Sequence, residues 1–108
     1  MILHINTKDQ KVIRVALKDK GKVVKSLSQQ NEYGSQVLLP LIMKLLITEN
    51  CNLKTLQRIE VETGPGSFTG IRVGVSVANA LGFSLGIPVN GKKMSKSSRF
   101  AIETKLVY

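Results

Sequence analysis

The sequence predicts an α/β domain in which five strands form one mixed sheet with two helices against it, in the order βββαβαβ. Three observations carry this reading. Residues 12–18 alternate Ile13, Val15 and Leu17 with Arg14, Ala16 and Lys18, and residues 58–63 alternate Ile59, Val61 and Thr63 with Glu60 and Glu62, the period of strands with one buried face. Leu38, Leu41, Ile42, Leu45 and Leu46, and later Ile71, Val75, Ala78 and Phe83, recur at helical spacing. Asp19-Lys20-Gly21 supplies the glycine that a tight hairpin favours, so the first three strands read as an antiparallel meander.

In chain order, residues 1–6 form a short strand, and residues 22–28 pair with 12–18. The first helix runs from Ser35 to about Glu49 and is apolar on more than one side. Pro40 lies about one turn in, where it bends the helix unless it falls within the first turn. The strand at 58–63 ends in a glycine-rich turn. A helix over 69–86 follows, capped by Ser67 or Thr69 and stopped at Gly86. Ile87-Pro88-Val89 begins the next strand, and a strand, helix, strand connection is normally a parallel crossover, which joins it to the meander. Residues 91–98 have the least defined pattern, a loop or the start of a helix.

The chain has 108 residues, 43% of them hydrophobic, the size and apolar content of one domain with a core. The longest apolar stretch, residues 37–43, contains Pro40 and is far short of the ~20 residues of a membrane span. The first residues lack a basic leader and a small-residue cleavage site, so the expected location is cytoplasmic. Cys51 is the single cysteine, which excludes an intrachain disulfide. Sixteen Lys and Arg against seven Asp and Glu give a net charge of +9, which raises contact with a polyanion or an acidic protein. The basic residues are dispersed, as on a solvated surface, with a small RNA-binding module as the alternative.

The segment from Thr63 to Gly70 joins a strand to a helix, where phosphate-cradling loops occur, yet it fails their patterns. Five residues after Gly64 stands Thr69 and after Gly66 stands Ile71, with no lysine to complete a phosphate loop, and a dinucleotide fingerprint needs glycine at 69. A residual nucleotide-binding enzyme therefore ranks low. Ser67 lacks the flanking glycines of a nucleophile elbow, having Pro65 and Thr69 in their places. One histidine, His4, and one cysteine are too few for a zinc site, and no catalytic residue, metal or cofactor is expected. Glu60 and Glu62 share a strand face, either as a working carboxylate pair or as solvated charges. Gly70, Gly74, Ala78, Gly82 and Gly86 recur every four residues along the second helix, leaving a groove that a second backbone can approach. That groove packs against the chain's own sheet or first helix, or forms a helix bundle with another subunit.

The string Gly64-Pro65-Gly66-Ser67-Phe68-Thr69-Gly70-Ile71-Arg72 followed by Val73-Gly74 closely resembles the signature of the TsaB (YeaZ-type) family. Leu38-Leu39-Pro40-Leu41-Ile42 is similar to the family's first helix, and Leu81-Gly82-Phe83 through Val89 to its second helix and returning strand. The resemblance covers about residues 1–91 of a single domain and leaves 92–108 as a divergent tail. It implies the actin, Hsp70 and sugar-kinase (ASKHA) superfamily fold, with a ribonuclease-H-like βββαβαβ sheet present as one half only. It also implies a non-catalytic, pseudoenzyme-like role in tRNA threonylcarbamoyladenosine modification. The implied partners are a TsaD-like subunit, a TsaE-like ATPase and tRNA through the complex, with a homodimer as the alternative. The interface expected is Leu38, Leu41, Ile42 and Leu45 on the first helix with Ile71, Gly74, Val75, Ala78 and Phe83 on the second. Gly64, Pro65, Gly66, Ser67, Thr69 and Gly70 shape the loop, the glycines by backbone freedom. Arg72, in the first turn of its helix, expects an acidic or carbonyl partner. Asn6-Thr7 departs from the Asp-Thr common in the family and further weakens a metal-phosphate role.

Overall fold

The computed structural model describes residues 1–9, 11–30 and 37–93. Strand β1 (Ile2–Asn6) lies beside β2 (Val12–Asp19), which turns back into β3 (Lys22–Gln30). The turn has two residues, Lys20 and Gly21, both at positive φ (53° and 79°), the conformation whose twist matches antiparallel strands. Helix α1 (Leu38–Thr48) follows, then a 3-10 turn (Leu53–Thr55), β4 (Arg58–Val61), helix α2 (Phe68–Leu85), β5 (Pro88–Val89) and β6 (Lys92–Lys93). The sheet order is β3-β2-β1-β4-β5-β6, with β1 parallel to β4, β4 parallel to β5, and the other pairs antiparallel.

The five expected strands are thus present in a mixed sheet, joined by a sixth. Two lysines at 92 and 93 carry no apolar alternation, so nothing in their pattern marks β6. The rest of the proposed tail, residues 94–108, lies outside the described residues. So do Ser35 and Gln36, where the sequence places the start of the first helix.

Register puts the large core residues of the strands on one face. Leu3 sits opposite Leu17 and Ile59, and Ile5 opposite Val15 and Val61, all at 5% exposure or less. Both helices pack there, α1 over β2 and β3, α2 over β4, β1 and β5. Leu38, Leu41, Ile42, Leu45 and Leu46 from α1 join Ile71, Val75 and Ala78 from α2 in a single apolar cluster with those strands. The helix layer is therefore one-sided, and the opposite face of the sheet carries His4, Lys18, Glu60 and Glu62.

Pro40 is the third residue of α1. Its missing N–H falls among the first four amides, which have no intrahelical acceptor, so the helix loses no bond. Helix α2 begins on Ser67, whose Oγ accepts from the Gly70 N–H at 3.2 Å, and ends on Gly86 at φ 68° in the left-handed region. At 18 residues α2 is long and apolar enough to cross a membrane, but its inward row lies on the sheet as a core helix does.

Candidate interface: the helix layer and its glycine loop

The loop from β4 to α2 is built against the segment that follows β1. The Ser67 N–H donates to the Lys8 carbonyl at 2.7 Å, and a side chain at Gly66 would come within 2.6 Å of Lys8 Cβ. A Cβ at Gly70 would lie 2.1 Å from the Thr7 carbonyl oxygen, and one at Gly74 would lie 2.4 Å from Thr7 Oγ1. Thr7 is 1% exposed and its hydroxyl donates to the Gly70 carbonyl. Gly66 and Gly70 are thus required by close approach of backbone to backbone rather than by freedom of the loop. Gly64 alone of the three takes a positive φ, 126°. Pro65 and Thr69 are exposed at the loop's outer side.

The same contacts assign the glycine row. Its first two members receive Thr7, the residue after β1 of the same chain, and Gly74 is sealed by Thr7 and Val61. Of the nine residues expected to meet a partner, Leu38, Ile42, Leu45, Val75 and Ala78 are fully buried, Leu41 and Ile71 are nearly so, and Gly74 is enclosed. These eight are a correction to the sequence reading: their side chains are already used in the chain's own core and none is offered to another molecule. Helical periodicity identifies the apolar face, and the sheet takes that face first. Phe83, at 42% exposure, is the one member turned to solvent.

What α1 does present is a second apolar row. Leu39, Met43 and Ile47 follow one another at i, i+4 and i+8, with exposures of 45%, 39% and 75%. Beyond the last turn of α1 the row continues into a cleft of about 520 Å³ lined by Met43, Leu46, Ile47, Cys51, Leu53 and Lys54, among others. On α2, Phe68 is 49% exposed and Arg72 lies with its guanidinium carbon 5.8 Å from the centre of the Phe68 ring. The partner of Arg72 is therefore an aromatic face one turn away, not the acid or carbonyl expected; such a contact at the surface is worth about 0.5–1 kcal/mol.

On the far side of the sheet, His4 stands between Glu60 of β4 and Glu62 just after it. Its Nδ1 is 3.2 Å from Glu60 Oε1 and its Nε2 is 3.1 Å from Glu62 Oε2. Lys18 from β2 reaches Glu60 and Lys8 reaches Glu62, each at 3.1 Å, so five side chains form one continuous row of polar contacts across β2, β1 and β4 and the residues just beyond them. The hydrogen bond to His4, followed by that to Lys18, holds the Glu60 carboxyl below its usual range. A carboxylate kept ionised in this way is a poor proton donor, and the pair acts as a clasp between β1, β2 and β4. Asn90 makes another clasp: its amide accepts from the Val61 N–H at 2.8 Å and donates to the Val61 carbonyl at 2.9 Å, extending the short β4/β5 ladder.

Leu39, Met43, Ile47, Thr7 and Asn90 are the residues that sequence reasoning missed. For the first three the signal was present, since α1 is apolar on more than one side. For Thr7 and Asn90 it was not, because each acts on a segment about thirty or more residues away.

Comparison with known proteins places these features in a family. The family model of TsaD, tRNA N6-adenosine threonylcarbamoyltransferase, matches residues 20–92. The tRNA threonylcarbamoyladenosine biosynthesis protein TsaB of Buchnera aphidicola from Schizaphis graminum is 40% identical over 73 residues, 67% of this chain and 35% of that protein. TsaB of Escherichia coli is 31% identical over 90 residues, 83% of this chain and 38% of that protein. The structure of YeaZ from Pseudomonas aeruginosa superposes with a TM-score of 0.73 at 32% identity, over 82% of this chain and 40% of that one. The chain thus spans well under half the length of these relatives, and its fold matches that part of an actin-like, ASKHA-type structure. With the family model covering most of its length and TsaB and YeaZ proteins among its relatives, the chain belongs to the TsaD family as a TsaB (YeaZ-type) protein.

Proposed function

We propose that this chain is a cytoplasmic, non-catalytic partner subunit in the threonylcarbamoyladenosine modification of tRNA. It docks onto a TsaD-like transferase subunit through the outward row of α1 and the adjoining surface of α2, and reaches a TsaE-like ATPase and tRNA through the complex. Self-association through the same surface is the alternative. The observation that carries this reading is the exposed row Leu39, Met43 and Ile47, three large apolar side chains aligned on one helix face that the fold leaves uncovered among the described residues. Its relatives are named for the same biosynthesis.

Two features support a scaffolding role over phosphate chemistry. The Ser67 and Gly70 amides, which would face a phosphate, donate instead to Lys8 and to Ser67 Oγ. Lys8 and Lys18, the basic side chains nearest the carboxylate pair, are held in ion pairs. The test is Ile47→Asp, a substitution at a position 75% exposed that leaves the core untouched. Binding to a purified TsaD-like subunit, read by calorimetry, should fall at least tenfold while the thermal midpoint stays within a few degrees. Undiminished binding and an undiminished dimer fraction would sink the reading.

A further inference from the structure

The charges around the exposed row of α1 select its partner. The segments that build the helix layer, residues 37–57 and 64–89, contain Lys44, Lys54 and Arg72 against a single acid, Glu49. Among the described residues no carboxylate pairs with Lys44 or Lys54, whereas Glu60 and Glu62 face the other side of the sheet and are already matched to lysines. Lys44 is exposed beside Ile47 on α1, and Lys54 lines the cleft itself. An apolar cleft with cations at its rim fits a bulky apolar side chain flanked by carboxylates.

A two-fold interface between copies of this chain presents the same patch to itself. It therefore sets Lys44 and Lys54 against other cations, with only Glu49 to offset them. We infer that the cleft at the end of α1 receives an apolar anchor from a different protein, carried on a segment rimmed by Asp or Glu, in preference to a second copy of this chain. The inference rests on the helix-face reading above and names the chemistry of its partner.

The experiment titrates the intact protein with the purified TsaD-like subunit at low and moderate salt, with sedimentation of each protein alone. Wild-type affinity should weaken as salt rises. Lys44→Glu combined with Lys54→Glu should weaken binding roughly tenfold at low salt and remove most of the salt dependence, without weakening self-association. Cys51 lines the cleft and supplies an independent readout: alkylation of its thiol should slow severalfold when the subunit is saturating. Unchanged affinity and salt slope in the charge-reversed protein, or an unchanged alkylation rate at saturation, overturns the inference. If Ile47→Asp abolishes binding while charge reversal does nothing, the helix-face reading stands and the acidic partner falls. If neither variant changes binding, or the wild type does not bind, both fall.

Discussion

Gly74→Ala should destabilise this protein although alanine is the better helix former. In an ordinary helix interior the exchange gains up to about 1 kcal/mol. Here the new Cβ would stand 2.4 Å from Thr7 Oγ1, 3.4 Å from Val61 Cγ2 and 3.5 Å from Thr7 Cβ. The hydroxyl cannot swing aside freely, because it is buried and donates to the Gly70 carbonyl. Overpacking of this kind costs about 1–3 kcal/mol, which set against the full propensity gain leaves a net loss of up to about 2 kcal/mol. Thr7→Ala alone removes one buried hydrogen bond and costs about 1 kcal/mol. In the double variant the offending oxygen is gone and the remaining contacts are ordinary or slightly tight. Gly74→Ala then becomes neutral or stabilising, a coupling of about 2 kcal/mol. Urea unfolding of the four proteins, followed by circular dichroism, measures each term. Costs that add within about 0.5 kcal/mol would show that Thr7 does not explain the glycine.

Three further outcomes follow from other contacts. Asn90→Ala removes both bonds to Val61 and should cost about 1–3 kcal/mol in the same assay, whereas Asn90→Asp keeps the acceptor for the Val61 N–H and should cost less. Because its folded pKa lies below the ordinary 4.5, Glu60 contributes stability that is fully present above that pH and is lost as pH falls through the lowered value. Glu60→Gln should therefore flatten the acid limb of a stability-against-pH curve and leave its slope near neutrality unchanged. Lys20 holds φ at 53° in the β2/β3 turn, and Lys20→Asn should stabilise the protein by up to about 1 kcal/mol, read as a higher urea midpoint.

Local signals were the legible ones. Alternation in β2 and β4, the hairpin glycine, the Ser67 cap and the Gly86 stop are each set by residues within a few positions of one another, and each lies where the sequence places it, except that β4 stops at Val61, two residues short of the strand expected over 58–63. The glycine row was legible as spacing but not as destination. What fills it is Thr7, whose position relative to α2 depends on β1 lying next to β4, a pairing across more than fifty residues. The same register brings His4 opposite Glu60, so an ion cluster appears where the sequence offered only a lone histidine and two strand acids. Counting apolar positions on α1 found the helix yet could not divide them between sheet and solvent, and the expected interface was accordingly drawn on residues that the core already buries.

That division is itself an argument about function. Five residues of α1 form its side of the core where it packs on β2 and β3, and all five are essentially buried. Selection for folding alone has no use for Leu39, Met43 and Ile47, since polar residues at those positions would keep the inward face intact and improve solubility. Single exposed apolar side chains are ordinary, but three in register on one face, leading into a cleft of about 520 Å³, form a continuous surface. In the glycine row, by contrast, Gly70 and Gly74 are explained by Thr7 and Val61 of the same chain. Among the described residues the surplus on α1 is therefore an aligned apolar surface whose chemistry the fold does not consume, and it is the surface on which the proposed docking rests.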